Sequence, residues 1–345
     1  MLAGNFSSAV YGIIASRMMF ELARQLMNIP SITGGEKGVG LFLAEQLLSR
    51  GYRVEKQLLA PNRFNVLAFA GKPRVILCTH IDTVPPILPV SEDENFLYGR
   101  GACDTKGIIA AMLVAGDRLR TEGIDSFGYL FVVGEEQKGD GARAANTLKW
   151  ESEYVVVGEP TGNRMAVAQK GTLMIDFAVT GRAAHSGYPQ QGVSAIEGLW
   201  KVLQDCAAAD WGADPVLGRG SFNVGVFNGG AACNIVPAAA SASVMIRLVE
   251  PRAVAEERIQ RIVGARAQTT IVGGANPYPM HVVEGFETMV ASFGSDVPYL
   301  PKLGKPLLIG PGSILDAHTA TEKISKQEML EGAAIYERLV KRLLS

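Results

Sequence analysis

Three short apolar runs, each ending in a side chain able to bind metal, constrain this chain most. Val75-Ile76-Leu77-Cys78 leads into Thr79-His80-Ile81-Asp82, Tyr129-Leu130-Phe131-Val132-Val133 into Gly134-Glu135-Glu136, and Tyr154-Val155-Val156-Val157 into Gly158-Glu159-Pro160. Runs this short and apolar on both faces read as parallel strands covered by helices on each side. Helical patterns over Gly107 to Leu119 and Ala142 to Lys149 supply the crossovers, and two further helices are expected over Arg17 to Met27 and Val39 to Arg50. The expected architecture is an α/β domain with a central, mostly parallel sheet and helices on both faces. In such sheets ligands collect at the carboxyl ends of the strands.

The pattern changes after Gly171. Thr172 to Thr180 alternates like a half-exposed strand, Val193 to Ala209 and Arg252 to Ala265 look helical, and Ser221 to Phe227 and Ala240 to Leu248 look like strands. That order predicts an inserted α+β lobe over residues 172–280, a small sheet with helices on one side. Leu307-Leu308-Ile309 and a closing helix over Lys326 to Leu344 return the chain to the first domain, which then comprises 1–171 and 281–345. The 345 residues are enough for two such cores.

Composition narrows the partners. With 33 basic and 34 acidic residues there is no electrostatic attraction to nucleic acid or an anionic membrane, so a small-molecule substrate is expected. The longest apolar helical candidate, Ile108 to Ala115, is far short of the roughly 18 residues that cross a bilayer. Cys78, Cys103, Cys206 and Cys233 are widely spaced, which argues against a disulfide framework or thiolate site and fits the cytoplasm. The glycine-rich stretch Gly99 to Gly107 has neither nucleotide-binding spacing, which disfavours a nucleotide-dependent enzyme.

The strand ends therefore carry the chemistry. Carboxylates gathered at one sheet edge repel each other, and the cluster makes physical sense with cations among them. Imidazole plus carboxylate without thiolate suits zinc, with manganese or cobalt as alternatives. His80 and Asp82, two apart on an extended segment, project to one side, so Asp82 is placed to accept the second imidazole N–H. Glu135 and Glu136 diverge, leaving one to bind metal and the other to face water. Asp104, on a glycine-bounded turn, is suited to bridge two metals, while Lys106 reads as capping or solvating that turn, Cys103 as a small buried residue and His281 as packing or surface.

These segments resemble the dinuclear zinc exopeptidase and deacylase family that includes acetylornithine deacetylase, succinyl-diaminopimelate desuccinylase, aminoacylase and glutamate carboxypeptidase. The resemblance covers most of the chain: Thr79 to Pro85, Tyr98 to Gly107, Gly134-Glu135-Glu136, Gly158 to Thr161, Ala184-His185-Ser186, Asn234 to Pro237, and Gly310-Pro311-Gly312-Ser313 followed by Ala317-His318. It implies a zinc-exopeptidase-like α/β domain with a ferredoxin-like inserted lid that also forms a homodimer contact. One metal would be held by His80, Asp104 and Glu159, and a second by Asp104, Glu136 and His318. Glu135 would be the general base, Asp82 the acid orienting His80, and His185 a lid residue stabilising the oxyanion. Asn234 and Arg247 would grip a substrate carboxylate, with Gly312 a further substrate-binding residue, and the peptide after Asp104 is expected to be cis. Thr105, Gly134 and Met245 depart from residues frequent at those positions.

The function implied is removal of an N-acyl group from a small amino acid, most like acetylornithine deacetylase. The alternatives are the desuccinylase, a metallo-dipeptidase or a carboxypeptidase of the same family, and, from another class, a non-catalytic binding protein of the same fold.

Overall fold

The computed structural model describes residues 8–345, with side chains from Ser16 onward. Helices α1 (Ser8–Met27) and α2 (Lys37–Ser49) lead into an antiparallel hairpin of β1 (Arg53–Ala60) and β2 (Arg63–Phe69). There follow β3 (Val75–His80), α3 (Gly107–Thr121), β4 (Phe127–Val132), α4 (Asp140–Ala145) and β5 (Tyr154–Val157). A second compact unit comprises Ala168–Pro279 with Val290–Gly294. It contains β6 (Gly171–Thr180), α5 (Ala195–Ala208), β7 (Ser221–Gly229), β8 (Ala239–Leu248), α6 (Arg252–Val263) and β9 (Gln268–Ala275). The chain then completes the first unit with β10 (Lys305–Leu308) and α7 (Lys326–Leu344).

In the first unit the strand order is β1-β2-β4-β3-β5-β10. β4, β3, β5 and β10 pair in parallel, and only β2 runs against the rest. Register aligns the ends: His80 lies opposite Val132, Cys78 opposite Val157, and Val157 opposite Leu308. One sheet edge therefore receives the segments that follow β3, β4, β5 and β10. Val75, Leu77, Phe127, Tyr129, Phe131, Val156 and Leu307 pack with residues of α1, α2, α3 and α7 in one apolar core, whereas Asn65 turns to the other side and binds the Gly141 carbonyl of α4 at 2.8 Å. Helix α3 approaches the sheet closely because Gly116 has no side chain: a Cβ there would lie 1.6 Å from the Tyr129 hydroxyl. Ser325 starts α7 by accepting the Glu328 amide, a Ser-x-x-Glu arrangement that satisfies an otherwise open helix terminus.

In the second unit the order β7-β8-β6-β9 with α5 and α6 is a ferredoxin-like arrangement, antiparallel throughout. Leu173, Ile175, Phe177, Ala242, Val244, Ile246 and Leu248 alternate onto the face covered by Leu199, Val202, Leu203, Ile259 and Val263 of the helices. Asp176, Ala178, Ala239 and Ser241 on the other face are exposed.

Four features differ from the sequence expectation, among them the exposed edge strand β9 and the return of Val290–Gly294, expected in the first domain, to the second unit. The β1–β2 hairpin was not anticipated, since β1 alternates polar and apolar residues only weakly and no residue of it is fully buried. The helix expected over Ala142 to Lys149 ends at Ala145, after which the chain closes in a turn.

Candidate metal centre

The aligned strand ends deliver the side chains. His80 is the last residue of β3, Glu135 and Glu136 follow β4 by way of Gly134, and Glu159 follows β5. Asp104 comes from the turn that precedes α3, where the Asp104–Thr105 peptide is cis, as expected. His318 lies on the loop between β10 and α7 and holds a left-handed φ of 62°.

These residues converge. Asp104 stands between the two imidazoles: its Oδ1 is 2.9 Å from His80 Nε2 and its Oδ2 is 3.1 Å from His318 Nε2. His318 Nε2 also lies 3.0 Å from Glu136. Donor atoms of His80, Asp104 and Glu159 lie within 4.8 Å of one another, and so do those of Asp104, Glu136 and His318. One carboxylate thus belongs to two three-donor clusters.

The electrostatics are those of a site short of positive charge. Burial pushes the Glu159 and Glu135 carboxyls well above their usual range, with neighbouring acids adding to the shift and His80 opposing it. Burial also raises Glu136, tempered by His318. Asp104 is held below its usual range because hydrogen bonds from His318 and His80 outweigh its burial. The reciprocal effect of Asp104 and Glu136 raises His318 to about 10. Glu159 Oε1 is buried without a hydrogen-bond partner, a costly arrangement that a cation would relieve. Imidazole and carboxylate donors in two sets of three, with an unsatisfied oxygen among them, fit a pair of divalent ions.

The surroundings refine the expected roles. The His80 Nδ1 lies 3.0 Å from the backbone carbonyl of Asp82, whereas the Asp82 carboxylate is 3.6 Å away. The carbonyl is therefore the group within hydrogen-bonding distance of the ring. The Asp82 carboxylate instead accepts the amides of Glu135 and Glu136 at 3.1 and 3.2 Å and the Thr33 hydroxyl at 2.7 Å, which ties the β3 end to the acid pair. Thr33 was missed as a partner, since its Ser-Ile-Thr-Gly-Gly setting reads only as loop punctuation. Lys106 is buried rather than solvated, and its Nζ donates to the Ile29 carbonyl at 2.7 Å. Gly312 sits beside the centre with φ 92°, and a Cβ there would come within 2.7 Å of the Cys103 Cβ. Cys103 is buried, and His281 stacks obliquely on Tyr154 with ring centroids 5.3 Å apart. Asp296, which the sequence did not single out, is buried with Oδ1 unpartnered, and burial raises its carboxyl to about 7.

His185, Asn234 and Arg247 belong to the second unit. His185 and Asn234 adjoin: Ser186 donates its amide to the Asn234 carbonyl at 3.0 Å, and His185 bridges to Ile235. Arg247 pairs with Thr172 at the far end of β8, whereas the loop of Asn234 precedes the strand's first residue, Ala239. At strand geometry Ala239 and Arg247 are about 25 Å apart along β8.

Comparison with known proteins gives a consistent picture. Residues 76–342 match the family described as Peptidase family M20/M25/M40. A peptidase M20 domain-containing protein of Schizosaccharomyces pombe is 37% identical over 338 residues, covering 93% of this chain and 84% of its own length. A probable carboxypeptidase of Aspergillus flavus is 36% identical over 390 residues, covering 98% of this chain and 93% of its own. Among solved structures, the di-peptidase Dug1p of Saccharomyces cerevisiae superposes with a TM-score of 0.80 over 98% of this chain and 99% of its own at 14% identity, a likeness of fold.

Proposed function

Because the chain belongs to peptidase family M20/M25/M40, we propose that it is a metal-dependent peptidase that cleaves small peptides next to a free C-terminus, as a dipeptidase or carboxypeptidase. The observation that carries this reading is the double use of Asp104 between two three-donor clusters, with Glu135 adjacent. The acyl-removing reaction expected first from the motifs gives way to the peptidase alternative, which the name of the Aspergillus relative supports.

His80, Asp104 and Glu159 would hold one ion and Asp104, Glu136 and His318 the other, with zinc favoured and cobalt or manganese as alternatives. Bound divalent ions lower the pKa of water toward about 7 and polarise a carbonyl. Glu135 is half-buried, and its amide is fixed on Asp82 at 3.1 Å, so its carboxylate can take a proton from water and return it to the departing amine. His185 Nδ1 accepts the Gly187 amide at 3.1 Å, which places the proton of the neutral ring on Nε2 and leaves that N–H free to donate to an oxyanion. Arg247 offers the planar, paired donors that suit a terminal carboxylate.

The length of β8 between Ala239, which the loop of Asn234 precedes, and Arg247 supports a homodimer in which the two residues that meet one substrate come from different copies. Strand β7 supports the same reading: it lies at the sheet edge, and Val224, Val226 and Phe227 are exposed on it.

The test is a substrate panel with metal-loaded protein. Dipeptides and N-blocked peptides with a free C-terminus should be cleaved, and the same peptides amidated at the C-terminus should not. Turnover confined to N-acetyl or N-succinyl amino acids would return the assignment to a deacylase. No hydrolysis of any member after loading with zinc or cobalt would leave a binding protein.

A further inference from the structure

A buried ion pair, Arg100 with Glu322, sits where three segments of the candidate centre meet. Arg100 Nη1 donates to Glu322 Oε2 at 2.6 Å, and the two side chains are 4% and 0% exposed. Both partners reach further. Arg100 Nε donates to the Pro86 carbonyl at 3.2 Å, four residues beyond Asp82. Glu322 Oε1 accepts the backbone amides of Cys103 and Asp104, each at 3.3 Å, and the Glu322 carbonyl accepts the Gly99 amide at 3.0 Å. Glu322 itself lies four residues beyond His318. The pair therefore ties the chain after β3, the turn that carries Asp104 and the loop that carries His318.

Such a pair is a weak source of stability, since removing two charges from water offsets much of their attraction. Geometry is what it supplies. The oxygens of Asp104 must face His80 on one side and His318 and Glu136 on the other, and the orientation of that carboxylate follows from the peptide to which it is attached. Two successive amides fixed on one buried carboxylate hold that peptide in place.

We propose that Arg100 and Glu322 are positioning residues for the shared carboxylate of Asp104, and that they set the affinity of both ion sites together. The inference rests on the two-ion reading of the centre. It separates these residues from a ligand private to one site: loss of His318 should remove one ion, whereas loss of the Glu322 contact should weaken both. Partners of this kind behind metal ligands typically change affinity by roughly 10- to 100-fold.

The experiment is calorimetric titration of zinc chloride into chelator-stripped protein, with thermal unfolding of the stripped proteins followed in parallel. Wild-type protein should bind two equivalents; if it binds none, the two-ion reading fails before the pair is tested. His318→Ala should bind one equivalent. Glu322→Gln should still bind two, each at least tenfold more weakly, with its unfolding still cooperative. Arg100→Met combined with Glu322→Gln removes the unpaired buried cation and carries the test if the single variant does not fold. Two ions bound at wild-type affinity, or loss of one ion alone, would overturn the proposal. So would failure of the double variant to fold, because the pair would then be needed for the fold as a whole.

Discussion

Glu135 and Glu136 are chain neighbours with different surroundings, and that difference makes the strongest prediction at the scale of single residues. Glu136 lies against His318, whereas Glu135 contributes to neither donor cluster. Glu135→Gln should retain two equivalents of metal by elemental analysis while turnover falls on the order of a hundredfold or more. Undiminished turnover would remove it as the base. Prolonged dialysis against a chelator should abolish turnover, and two equivalents of zinc, cobalt or manganese should restore it, with the most effective ion read from the recovered rate.

Asp296 makes a prediction with a definite sign. Burial raises its carboxyl from 3.8 to about 7, so the fold prefers the protonated form. Below about pH 4 the group is protonated in both states and costs folding nothing; the cost grows as pH rises from about 4 to 7 and is complete above that. In metal-stripped protein, Asp296→Asn should therefore raise the melting temperature by a few degrees at pH 8 and leave it unchanged at pH 4. Equal effects at both pH values would mean that charge is not the cause.

At the scale of elements, the contact of α3 with β4 is set by one missing side chain. Tyr129 is fully buried and donates its hydroxyl to the Met112 carbonyl at 3.2 Å, in the space that a Cβ on Gly116 would enter. Gly116→Ala should destabilise the protein by about 1–3 kcal/mol, measured from its urea midpoint. Adding Tyr129→Phe should recover part of the loss, since the two residues share one space. The parallel strands β3, β4 and β5 were legible because Val75–Cys78 of β3, and β4 and β5, are apolar on both faces. The edge strands β1 and β9 were not, because a strand open to water on one side admits polar residues and loses the pattern.

At the scale of the whole molecule, the distribution of substrate-type residues over the second unit argues for assembly. Arg247 lies near one end of β8 and the loop of Asn234 precedes the other, so the proposed homodimer is tested by mass. The protein should elute at twice the mass of one chain, and Val224→Lys with Val226→Lys on β7 should shift it to the mass of one and lower activity at the same time. A wild-type protein that remains a monomer at micromolar concentration and is fully active would exclude the shared site. Among the described residues no helix is long and apolar enough to cross a membrane, in line with the apolar runs of the sequence.

What the sequence determined by itself is local: which segments form buried strands, and that each of those strands ends in an imidazole or a carboxylate. Both follow from residue order, because strand burial is written in short-range periodicity and parallel strands send their carboxyl ends to one edge. Only the tertiary structure decided that the Asp82 carboxylate accepts two amides besides standing 3.6 Å from the His80 ring, that Lys106 is buried, and that Thr33 bonds Asp82 and Glu322 bonds the amide of Asp104. Each of these depends on the distance between segments remote in the chain, which packing fixes and periodicity does not record.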